Sequence, residues 1–183
     1  MKYIISIISL IFITSCNLGV NDRLRSGEYV GKLEVEKDKY LPFNFSVIDD
    51  STLVVHNSVE HVEFSVKYLR DSIFINSKIF EGYIKGSLMD GLIKGEFIIE
   101  SLNRVVPFQS FKSEKRFDID FVENKKLISN SWKFVFNPYK TSKSYSIGLF
   151  NSIDNNQISA TFRTTTGDYG FMNGGYANNK LLL

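Results

Sequence analysis

Apolar and polar residues alternate with a period of two along most of this chain, a pattern that argues against any fold built on amphipathic helices. Tyr29, Gly31, Leu33 and Val35 alternate with Glu28, Lys32, Glu34 and Glu36. Such a run is a strand with one dry face and one wet face. Phe43, Phe45 and Val47 repeat the pattern around Asn44 and Ser46. Residues 52–56, 62–68 and 72–76 read as three further strands, separated by the turn clusters at 49–51 and Arg70-Asp71. Residues 83–89 and 92–100 flank Asp90-Gly91. An Asp-Gly pair between two β-type runs predicts a type I′ hairpin, because both central residues need positive φ. Residues 104–108 add a shorter run.

Strands resume at Ser131. Trp132, Phe134 and Phe136 are expected on one buried face, with Lys133 and Val135 opposite. Residues 145–151 and 157–165 flank Asp154-Asn155-Asn156, a second hairpin signal. Lys180-Leu181-Leu182-Leu183 reads as a last strand entering a core, with nothing after it to cover its edge. Short strands with turns roughly every ten residues predict an all-β fold, an antiparallel sandwich or barrel-like meander with room for two β subdomains. The expected divisions are a signal peptide at 1–15, a lipidated tether at 16–26, a β subdomain at 27–111, a charged linker or edge segment at 112–130, and a second, incomplete β subdomain at 131–183.

The N-terminus carries a different message. Lys2 precedes an apolar run from Tyr3 to Ile13, which is too short to span a bilayer. It closes on Ile13-Thr14-Ser15-Cys16 and reads as a secretory signal. These four residues resemble the lipobox of bacterial lipoproteins, in which the Cys is lipidated and becomes the first mature residue. The resemblance implies lipidation at Cys16 and a membrane partner reached through the lipid. Asn17, where an Asp would mark inner-membrane retention, points to the outer membrane facing the periplasm. Cys16 is the sole Cys in the sequence, so a lipid on its sulfur leaves no thiol and no disulfide. Loss of Lys2 with the leader lowers the formal charge from +2 to +1, with no basic stripe for nucleic acid.

Candidate chemistry is sparse. His56, Glu60 and His61 supply two imidazoles and a carboxylate, short of the ligand set and spacing of a zinc site. Gly167-Asp168-Tyr169-Gly170 and Gly174-Gly175 precede no helix, so they read as turn glycines rather than a phosphate cradle. No G-x-S-x-G elbow is present. These residues therefore assign no catalytic, cofactor or metal site. The aromatic residues Tyr29, Phe43, Phe45, Trp132, Phe134, Phe136 and Phe162 fall on the buried side of each alternation. They either fill a core or line a barrel cavity for an apolar ligand.

The segments Ser131-Trp132-Lys133-Phe134-Val135-Phe136 and Ala160-Thr161-Phe162-Arg163-Thr164-Thr165-Thr166-Gly167-Asp168-Tyr169-Gly170-Phe171 carry a family resemblance. So do Gly27-Glu28-Tyr29-Val30-Gly31, Leu41-Pro42-Phe43 and Arg104-Val105-Val106-Pro107-Phe108. Together they resemble the N-terminal β-rich region of Bacteroidetes TlpA-like disulfide reductase lipoproteins, which end in a thioredoxin-like redoxin domain. The resemblance implies a chain that stops before that domain. Its role would be a membrane-anchored, non-catalytic companion of a thiol-disulfide oxidoreductase, since no C-x-x-C pair is present. The alternative expectation is a complete cell-envelope module that binds an apolar ligand or a protein partner.

Overall fold

The computed structural model describes residues 23–122, 130–153, 156–178 and 180–183. Cys16 and the leader lie outside the described residues, as do the turn residues Asp154 and Asn155 of the second hairpin. The described chain is all-β, with fourteen strands, one 3-10 turn at Glu100–Leu102 and no α-helix.

The first eight strands are β1 (Gly27–Glu36), β2 (Lys39–Val47), β3 (Thr52–Asn57), β4 (Glu60–Leu69), β5 (Ser72–Ser77), β6 (Tyr83–Met89), β7 (Leu92–Ile99) and β8 (Arg104–Lys112). Each pairs antiparallel with the next, and β8 returns to pair with β1, so the meander closes into a barrel with no free edge. Asp90 and Gly91 have φ of 55° and 74°, as the Asp-Gly signal requires. Gly86 and Gly95 face each other across β6 and β7. A Cβ at Gly86 would sit 2.7 Å from the Lys94 carbonyl oxygen, and one at Gly95 would run into the Lys85 carbonyl. Close backbone approach at this pair lets the sheet coil tightly enough to close.

The second sheet contains β9 (Ser131–Phe136), β10 (Ser144–Ser152), β11 (Ile158–Thr164), β12 (Gly167–Asp168), β13 (Met172–Ala177) and β14 (Lys180–Leu182). Its order is β14-β13-β11-β10-β9, with β12 also paired to β11. The β10–β11 hairpin forms as the sequence suggests. Phe150, Ile158 and Ala160 are buried under Phe134, Phe162, Tyr176, Leu181 and Leu183. Phe134 meets Phe162 edge to face at 5.0 Å, the geometry that ring quadrupoles favour.

Two residues depart from the expected alternation. Val35 is 44% exposed because the register slips between Glu34 and Glu36, a bulge that turns it out of the barrel. Trp132 is 52% exposed at the start of β9, so it does not share the burial of Phe134.

The barrel floor is closed by the chain that enters it. Leu24 is 4% exposed and belongs to the barrel core. Its backbone N–H donates to the Tyr68 hydroxyl at 3.2 Å, and the Tyr29 hydroxyl donates to the Arg25 carbonyl at 2.9 Å. Residues 23–26 thus pack against the floor rather than extending from it.

Candidate functional site

The barrel is filled at one end and hollow at the other. Inward side chains near the floor, Val47, Val66, Ile73 and Ile93, are buried, and Leu53 and Ile75 above them meet the base of the hollow part. Those farther along the same strands, Leu33, Phe43, Val55, Phe64 and Phe97, are only half-buried although they also point inward. They surround a cavity of about 460 Å³. That volume lies in the usual range for small-molecule sites. Eight strands can leave room for one small ligand, whereas a fully packed barrel leaves none.

The alternation of each strand places these residues. Phe43 and Phe45 project inward from β2, two residues apart, and their rings lie 6.2 Å apart. Phe108 projects from β8 and stacks on Phe43 at 6.0 Å. Gly31 lies inward on β1, where a Cβ would meet the Phe43 ring at 2.6 Å and the Phe108 ring at 2.9 Å. Glycine is therefore what lets the two rings meet across the wall. The mouth is formed by Leu41 and Pro42 on β2, Asn57 at the end of β3, and Phe80, Glu81 and Gly82 in the β5–β6 loop. Arg116, Met172 and Leu183 reach it from outside the barrel.

Residues 113–122 carry Arg116 across the barrel. The Ser113 N–H donates to the Glu28 carbonyl at 3.1 Å. The Asn44 amide donates to the Glu114 carbonyl at 2.8 Å, and Lys115 pairs with Asp120 at 2.7 Å. The Val122 N–H donates to the Tyr176 carbonyl at 2.8 Å, which ties the segment to the second sheet. Arg116 is half-buried, with its guanidinium carbon 4.6 Å from the Phe117 ring centroid. Burial pushes its pKa below the ordinary guanidinium value, and no carboxylate among the described residues offsets that effect.

A second, polar cleft of about 680 Å³ lies beside the barrel, lined by Glu28, Asn44, His56, residues 114–117 and part of the second sheet. Arg116 and His56 border both spaces. A hydrogen-bonded chain runs along the wall of this cleft. The Ser46 hydroxyl lies 2.7 and 2.9 Å from the two Glu28 carboxylate oxygens and 2.5 Å from His56 Nε2. His56 Nδ1 lies 2.9 Å from His61 Nδ1. One proton arrangement satisfies the whole chain: His61 donates to His56, His56 to Ser46, and Ser46 to Glu28. Here the carboxylate accepts the serine hydrogen bond directly, and the serine keeps its proton. In a nucleophilic triad the carboxylate would instead orient the imidazole that takes that proton.

His56 and His61 thus meet, but their ring nitrogens bond each other instead of converging on one point. Glu60 does not join them; its carboxylate lies 3.4 Å from the Asn57 amide, which donates to it. Among the described residues no group of three His, Cys, Asp or Glu side chains is placed to hold a metal ion. Of the aromatic residues singled out from the sequence, Phe43 and Phe45 line the barrel cavity. Tyr29 sits in the buried barrel core, bonded to the floor segment, whereas Phe134 and Phe162 pack in the second core. Arg116 was legible only as one charge in a charged stretch, because 113–122 has no period from which to read its direction. No family model matches the chain, and neither the curated proteins nor the solved structures give a match to it.

Proposed function

We propose that this protein is a cell-envelope binding module that holds an apolar small molecule in its barrel, anchored by a lipid at Cys16. The observation that carries this reading is the cavity of about 460 Å³ ringed by half-buried Leu, Val and Phe side chains. A protein interior normally closes such a space, because each missing contact costs dispersion energy. A space left open and lined this way gains most by taking up an apolar guest, which would bury what water now touches. The chain enters at the floor, the end opposite the mouth, so a tether there leaves the mouth clear. The thioredoxin-companion role would place its chemistry on residues beyond this sequence, whereas the cavity gives these residues a task of their own.

The test is titration with the neutral fluorophore N-phenyl-1-naphthylamine, using the Cys16→Ser chain purified without detergent, because detergent tails would compete. Saturable fluorescence enhancement at one site per chain is expected. Val55→Phe places a ring in the cavity and should weaken the probe by roughly tenfold or more. No enhancement, or enhancement unchanged by Val55→Phe, would overturn the reading. The anchor has its own check: wild-type protein should fractionate with membranes and Cys16→Ser should not.

A further inference from the structure

Arg116 is the unusual residue at the mouth. An arginine that loses water without gaining a carboxylate is uncommon, since burial of a charge is costly unless it is paired. Among the described residues no carboxylate lies within ion-pair distance of its guanidinium, and its one ring contact is with Phe117. Of the nearby acids, Asp120 pairs with Lys115 and Glu28 accepts from Ser46, while Glu114 and Asp118 lie exposed to water, outside ion-pair distance of the guanidinium. Glu81, on the opposite side of the mouth, is exposed to water. Met172 and Leu183 flank the mouth with apolar side chains, so the arginine is the cationic group on a rim whose other polar residues are His56, Asn57 and Glu81.

An apolar cavity with one desolvated guanidinium at its rim is complementary to an amphiphile. The tail replaces water against Phe43, Val55 and Phe97, and the head supplies the missing anion. We propose that the barrel binds a single-chain amphiphile with an oxyanion head, a carboxylate or phosphate monoester, whose head is held by Arg116. This inference rests on the cavity being a ligand site and names the class of ligand. The guanidinium presents a planar fork of N–H donors that matches either head in two parallel hydrogen bonds. His56 borders the same rim, while Glu81 disfavours an anion placed on its own side. The head is therefore drawn to the Arg116 side of the mouth.

The experiment compares decanoate, decyl phosphate, decan-1-ol and inorganic phosphate as competitors of N-phenyl-1-naphthylamine at pH 7. It uses the detergent-free Cys16→Ser chain and its Arg116→Gln and Arg116→Lys variants. In the parent chain one or both anionic amphiphiles should bind roughly tenfold to a hundredfold more tightly than decanol, the range of a charge-assisted hydrogen-bonded pair. Whichever of the two anions binds more tightly identifies the head. In Arg116→Gln the affinities of the anion and the alcohol should converge, and Arg116→Lys should keep part of the preference. Equal binding of anions and decanol in the parent chain overturns the assignment of the head to Arg116 while leaving the cavity reading intact. An equal loss for all tailed competitors in Arg116→Gln does the same. Inorganic phosphate competing as well as decyl phosphate overturns the amphiphile. Failure of the probe and every tailed competitor to bind overturns the cavity reading and this inference together.

Discussion

Val55 and Ile73 are both inward aliphatic residues of the barrel, yet Ile73 is 1% exposed and away from the cavity, whereas Val55 is half-buried at its wall. The difference gives a direct expectation for substitutions. Ile73→Ala removes packed methyls and should destabilise by about 2–5 kcal/mol, measured by urea unfolding. Val55→Phe adds volume where space exists and should change stability by less than about 1 kcal/mol, well below the ordinary cost of overpacking. A loss as large as that for Ile73→Ala would mean the space is not there. At the floor, burial pushes the Tyr29 and Tyr68 phenols above their ordinary value, opposed by hydrogen bonds with Arg25 and Leu24. A raised folded-state pKa means the stabilisation is complete below about pH 10 and is lost as pH rises through the folded value. Urea midpoints should therefore fall from about pH 9 to about pH 11.5, and less steeply in Tyr29→Phe. The Ser46 bridge is a third residue-scale case. Ser46→Ala leaves the half-buried His56 without its acceptor and should cost about 1–3 kcal/mol in the same assay.

The strand elements were the most legible part of the sequence, because a two-residue period with one wet face fits a strand and no helix. The turn at Asp90-Gly91 was legible for a stereochemical reason, and both residues take positive φ. Gly91→Ala should destabilise by about 1–2 kcal/mol through that φ alone, since no atom lies within 4 Å of the added methyl. Gly95→Ala should cost more, because the Lys85 backbone occupies the space the methyl needs. Urea unfolding of the two variants separates a conformational cost from a steric one. The pattern failed at Val35 and Trp132 for local reasons. A bulge reverses the facing of Val35, and Trp132 sits at a strand end where little covers it. Closure of the barrel was illegible for a different reason. Pairing of β1 with β8 depends on accumulated coiling and on the Gly86–Gly95 approach, and no local alternation encodes it.

Over the whole molecule, the sequence left open whether the barrel is filled or hollow. Alternation assigns a side chain to the inside without stating how far the opposite wall lies, so Phe43 and Phe45 read alike although Phe45 is 1% exposed and Phe43 is not fully buried. The arginine at the mouth was illegible because an aperiodic segment delivers it across the barrel from outside. The proposed ligand site is thus a property of closure and of chain crossing, both set at long range. The most direct measurement is a series of n-alkan-1-ols from butanol to dodecanol, each displacing N-phenyl-1-naphthylamine from the detergent-free Cys16→Ser chain. Each added methylene buried in the cavity contributes ~0.8 kcal/mol, or about fourfold in affinity. A steady gain per carbon as the lengthening chain occupies more of the cavity of about 460 Å³ is the expected result. Absence of displacement at every length would contradict a hollow barrel built to hold an apolar guest.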